Sequence, residues 1–161
     1  MCLLIQENGI LTECTLSTYM IESMMPFEMS DEEVANRIII DSKCLKEVWF
    51  DFDAAATELE IAFNSNSLRL STVSSYAKID YEFNNNINVV YDFVSHKDQT
   101  NCYQMQLMKL SYKALMQSSQ VSIRVRENGL LSIQFLIRLE DNQNAYAEFF
   151  CVANYDTDSS Q

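Results

Sequence analysis

The chain has 161 residues, of which 48% are hydrophobic and 11% aromatic, enough to bury a core as one domain or as one domain with part of another. A formal charge of −12 excludes a uniformly basic nucleic-acid binder and a membrane-surface protein, while leaving room for a local basic patch. The five cysteines are widely spaced with no C-x-x-C pair, and no apolar run approaches a membrane span, so an intracellular protein with ordinary thiols is expected.

The first element is a hairpin. Glu7-Asn8-Gly9 and Glu127-Asn128-Gly129 hold the only two glycines of the chain. An Asn-Gly pair between alternating runs predicts a hairpin closed by a type I′ turn, which needs φ > 0 at both central residues. The flanking registers differ, so shared turn chemistry explains the match better than an internal repeat.

Next comes a connector, residues 21–30, with the single proline, Pro26, flanked by Met24, Met25 and Phe27. After one strand, Asp41 to Asp53 places Leu45, Val48, Trp49 and Phe52 at i, i+3, i+4 and i+7, an apolar helical stripe with Asp41 or Ser42 as N-cap. Four alternating runs follow: Leu59/Ile61/Phe63, Leu68/Leu70, Ile79/Tyr81/Phe83 and Ile87/Val89/Tyr91/Phe93. A strand through Tyr103, Met105 and Leu107 leads to a second helix, Lys109 to Ser119, with Leu110, Ala114 and Leu115 as its apolar side. Two strands around Gly129 and a third from Asn144 to about Asn154 complete the order, before a polar tail, 156–161. The pattern predicts an α+β fold: one large antiparallel sheet with two helices on one side.

Few residues offer catalytic chemistry. His96 is the only histidine, so His-based triads and zinc sites lack their usual parts. Both glycines are committed to turns, which removes Gly-rich phosphate loops. Asp31-Glu32-Glu33, Asp51/Asp53 and Glu58/Glu60 read as solvated charge rather than a two-metal site. The scarce positive charge is more informative. Lys43 and Lys46 sit on the first predicted helix and Lys109 and Lys113 on the second, each pair at a spacing that shares a face, with Gln117 extending the second row.

The runs VSIRVRENGLLSIQFLIRLEDNQNAYAEFF and LMKLSYKAL resemble the C-terminal region of the Rad-one subunits of the nine-one-one checkpoint clamp, a branch of the PCNA-like sliding clamps. ANRIIIDSKCLKEVWFDFD, SLRLSTVSS and LLIQENGILTECTL are similar to earlier segments of the same family, so the resemblance spans nearly the whole chain. It implies a DNA-clamp fold and a nuclear subunit of a three-membered ring. The other members would be Rad-nine-like and Hus-one-like; a clamp loader would place the ring around double-stranded DNA to support checkpoint signalling and repair. It implies no cofactor and no membrane. Residues 1–20 would be the last hairpin of a truncated first clamp domain, 21–30 the interdomain connector and 31–155 a complete second domain.

The resemblance further implies that Lys43, Lys46, Lys109, Lys113 and Gln117 face DNA phosphates. Met24, Met25 and Phe27 would anchor partner peptides. Ile10, Thr12, Cys14 and Leu16 on one strand, with Ala77, Ile79, Tyr81 and Phe83 on another, would form subunit interfaces. Two other functions stand beside this one: a 3′→5′ exonuclease, disfavoured because no three-carboxylate constellation is visible, and a β-rich interaction domain without DNA binding.

Overall fold

The computed structural model describes residues 2–17, 29–30, 33–52, 55–139 and 143–154. Met24, Met25 and Phe27 lie outside the described residues, as do Asp31, Glu32, Asp53 and the tail from 155 onward.

Strands β1 (Cys2–Glu7) and β2 (Ile10–Thr15) form a two-stranded antiparallel hairpin in which Glu7 pairs with Ile10. Asn8 at φ 50 and Gly9 at φ 80 are both left-handed, as a two-residue type I′ turn requires. Leu3, Leu4, Ile5, Ile10, Leu11 and Leu16 are exposed, and the two strands pack chiefly on each other.

The remaining elements share one core. They are β3 (Val34–Asp41), α1 (Ser42–Asp51), β4 (Glu58–Phe63), β5 (Ser67–Val73), β6 (Lys78–Asn84), β7 (Val90–Ser95), β8 (Gln99–Gln104), α2 (Met105–Leu110), α3 (Tyr112–Gln117), β9 (Ser118–Arg126), β10 (Leu131–Arg138) and β11 (Asn144–Cys151). The single large sheet expected from the alternation is instead two antiparallel sheets, ordered β11-β10-β9-β3-β7 and β6-β5-β4-β8. The cause is visible in the burial. Ile38, Ile40, Val121, Ile123, Val125, Ile133 and Phe135 from the first sheet meet Leu59, Ile61, Phe63, Leu68, Leu70 and Tyr103 from the second in one apolar cluster. Period 2 reports that a strand has a buried face; it does not report which sheet the strand joins.

Other contacts join the sheets at one end. The Tyr103 hydroxyl donates to the Gly129 carbonyl at 2.9 Å, and the Gln99 amide donates to the Arg126 carbonyl at 2.9 Å. Asn154 N donates to the Cys102 carbonyl at 2.7 Å, so the chain leaving β11 runs onto β8. Gly129, at φ 79, sits in this seam: a Cβ there would come within 2.7 Å of Asn101 Oδ1 and 3.1 Å of Ala153 Cβ.

That turn departs from the type I′ expectation. Gly129 N donates to Arg126 O and Arg126 N to Leu130 O, so three residues, Glu127 to Gly129, close the hairpin, and only the glycine has a positive φ. This is a type I turn followed by a left-handed glycine bulge. The same tripeptide therefore closes two different hairpins.

Two strand boundaries also move. Ile87 and Val89 lie in a turn before β7, which begins at Val90. Met105 and Leu107 belong to α2, not to a strand.

Candidate nucleic-acid interface

Helix α1 follows β3 directly. Asp41 caps it, its Oδ1 accepting from Lys43 N at 2.8 Å while Oδ2 accepts from the Tyr91 hydroxyl at 3.0 Å. The first of these bonds is the main reason the Asp41 carboxyl is held below its ordinary range. Leu45, Val48, Trp49 and Phe52 are buried as the spacing predicts. Lys43, Glu47, Phe50 and Asp51 are exposed on the opposite side.

The second predicted helix is two short ones. α2 starts four residues earlier than expected, and the chain turns at Ser111, whose side chain donates to the Met108 carbonyl at 2.8 Å. The break resets the phase of the helix. Met105, Met108 and Leu115 are the buried residues, whereas Leu110, expected on the apolar side, is 67% exposed. Lys109 and Lys113 consequently sit on either side of the break rather than on one continuous turn. Both are exposed, as is Gln117 at the end of α3.

α1 packs on β3 and β9, and α3 packs on β9, β10 and α1, so the two helices lie side by side on the apolar face of the five-stranded sheet. Lys46 is the residue that joins them. It is half-buried, not fully exposed as its position suggested, because its Nζ donates to the Ser118 carbonyl at 2.9 Å. Ser42 Oγ donates to the same carbonyl at 2.6 Å. Lys43 and Lys46 line a recess with Asp41, Tyr91, Ser118 and Arg138. Sequence spacing does not mark Arg138, because its place at the end of β10 carries no helical period.

A second feature is written in the sequence itself. Residues 99–126 contain Lys109, Lys113, Arg124 and Arg126 and no acidic residue at all, within a chain of net charge −12. In space this acid-free stretch is β8, α2, α3 and β9 together. Arg124 pairs with Glu148 and Arg126 with Glu33, so the two arginines are locally neutralised.

Among the described residues, Asp51, Glu58 and Glu60 have other partners. Glu60 pairs with Arg69 at 3.0 Å, Glu58 accepts from Asn154 at 2.8 Å, and Asp51 accepts from the Tyr81 hydroxyl at 2.5 Å. His96 lies in the loop after β7, where its backbone N donates to the Ala35 carbonyl.

Strand edges complete the geometry. β6 pairs only with β5 and so borders its sheet; Ile79 and Tyr81 on it are half-buried and Phe83 is buried, while Ala77 just precedes it. β2 pairs only with β1, leaving Ile10, Thr12 and Leu16 exposed and Cys14 half-buried.

The family described as "Repair protein Rad1/Rec1/Rad17" matches residues 1–137. The chain belongs to this family. Its α+β architecture, with helices on one face of an antiparallel sheet, is the clamp fold of Rad1 proteins. The chain is 33% identical over 151 residues to a mouse protein named "Cell cycle checkpoint protein RAD1", a match covering 92% of the chain and 54% of that relative. It is 30% identical over 161 residues to the human protein of the same name, covering 99% of the chain and 57% of the relative. A fission-yeast relative, "DNA damage checkpoint control protein rad1", is 26% identical over 151 residues, covering 92% of the chain and 46% of the relative. The chain thus spans about half the length of the curated Rad1 relatives it matches. Among the described residues no helix is long and apolar enough to cross a membrane.

Proposed function

We propose that the chain acts as part of a ring-shaped DNA-damage checkpoint clamp in the nucleus, a non-catalytic platform for checkpoint signalling and repair. The observation that carries this reading is the arrangement of α1 and α3. They lie side by side on one face, with Lys43 and Lys113 exposed and Lys46 and Arg138 beside a shared recess. Lysines on helix surfaces contact phosphates without reading bases, which suits a protein that must slide. A ring holds DNA by topology, so a modest positive surface suffices, and a net charge of −12 elsewhere discourages non-specific adsorption.

In this reading residues 1–20 are the end of one clamp domain and 31–155 form the next, joined by the connector. Partner subunits, Rad-nine-like and Hus-one-like, would add strands at the open edges of β2 and β6, since an unpaired edge is a template for pairing. Met24, Met25 and Phe27 would anchor peptide partners, with the adaptability of methionine allowing several. The decisive experiment changes Lys43, Lys46, Lys109 and Lys113 together to Glu in the assembled clamp. Retention on closed circular DNA should fall sharply and become less salt-dependent. Unchanged retention would remove the helix face from the DNA path.

A further inference from the structure

Between the end of α1 and the α2–α3 break lies a groove of about 300 Å³ lined by Trp49, Phe50, Phe52, Met105, Lys109 and Tyr112. Its chemistry differs from that of a phosphate-binding surface. Phe50 is 82% exposed and Tyr112 39% exposed, so two aromatic rings stand open beside a lysine. A duplex offers nothing to such rings, because its bases are stacked on one another and only phosphates and groove edges face outward. An unpaired strand offers both halves of the match, a π-face for the ring and a phosphate for the ammonium.

We infer that this groove binds unpaired bases of single-stranded DNA, with Phe50 and Tyr112 as stacking surfaces and Lys109 on the adjoining phosphate. The inference deepens the proposed DNA-facing role of the helices and rests on it. On one wall of the groove, charge favours an anionic occupant. The α2–α3 wall belongs to the acid-free stretch 99–126. On the α1 wall the carboxylates of Asp51, which accepts from the Tyr81 hydroxyl, and of Glu47, one turn before Phe50, carry negative charge. The phosphate is therefore placed on the Lys109 side, and Phe50 meets only the base.

Trp49 is the only tryptophan in the chain and lines this groove, so its fluorescence reports occupancy. The test titrates the full chain with oligothymidylate, with an abasic strand of equal length and charge, and with a blunt duplex. Oligothymidylate should quench Trp49 and bind more tightly than the abasic strand. Phe50→Leu, safe for the fold at an exposed position, should weaken oligothymidylate binding about fivefold or more while leaving the duplex unaffected. Tyr112→Leu should act in the same direction. Equal binding of the abasic strand, no Trp49 response to either strand, or a response only to an apolar helical peptide would each overturn the inference. A Lys43→Glu, Lys113→Glu variant separates the two readings. If it leaves duplex binding unchanged, the DNA-facing role fails; if it weakens duplex binding while Phe50→Leu does nothing, the groove alone fails.

Discussion

Lys46 Nζ and Ser42 Oγ both donate to the Ser118 carbonyl, at 2.9 and 2.6 Å, so a lysine proposed to face DNA also fastens α1 to the end of α3. The four lysines are therefore unequal. Lys46→Met should lower stability by about 1 kcal/mol, the usual net worth of such a bond. Lys43→Met and Lys113→Met, at exposed positions, should stay within about 0.5 kcal/mol of the parent. Denaturant unfolding of the single variants measures this directly, and it must precede any DNA-binding comparison. Equal stability of all three would mean that the Ser118 carbonyl does not need the ammonium.

The two glycines should respond differently to the same change. Each has a φ near +80°, where an L-residue is strained by about 1–2 kcal/mol. A Cβ at Gly9 meets nothing within 4 Å, whereas at Gly129 it strikes Asn101 and Ala153 in the seam between the sheets. Gly129→Ala should lower the midpoint of the main thermal transition clearly. Gly9→Ala should leave that midpoint in place, because the β1–β2 hairpin contributes little to the shared core. Equal shifts from the two would show the hairpin to be part of the cooperative unit.

Tyr103 supplies a pH test. Burial, with smaller contributions from Cys151 and Cys102, pushes its hydroxyl pKa far above the ordinary 10. In the unfolded chain this group releases its proton near pH 10, while the folded chain retains it. The unfolded state then binds fewer protons, so stability falls as pH rises above about 10. Tyr103→Phe should flatten that alkaline decline. At neutral pH it should cost about 1–2 kcal/mol, because the buried Gly129 carbonyl loses its 2.9 Å donor. An unchanged alkaline slope in the variant would contradict the burial of this hydroxyl.

The helix break at Ser111 predicts opposite outcomes for two neighbouring apolar residues. Met108 is buried in the core and Leu110 is 67% exposed. Met108→Ala should cost about 2–5 kcal/mol, and Leu110→Lys about nothing. A continuous helix with Leu110 inward would reverse the order.

The helices differ in how far the sequence alone specifies them. Around α1 the periodicity was sufficient: Leu45, Val48, Trp49 and Phe52 are buried, and Asp41 caps the helix. Around α2 and α3 it misled, since Lys109 to Ser119 contains no glycine or proline to announce a break. Only tertiary packing of Met105 and Met108 fixes the start of α2. Strand existence was legible from alternation, but the division into two sheets depends on which apolar faces meet across the core, a non-local fact. The candidate interface was half visible. Lysine spacing marked Lys43 and Lys113, while Arg138 and the Phe50–Tyr112 groove come from elements far apart in the chain and appear only once these are packed.

Membership of a ring is the central claim, and co-expression with the Rad-nine-like and Hus-one-like subunits tests it most directly. The mass of the purified species, measured by light scattering on a sizing column, should correspond to one copy of each of the three chains. Recovery of this chain alone at 18.6 kDa, with the other two subunits eluting separately, would contradict the claim.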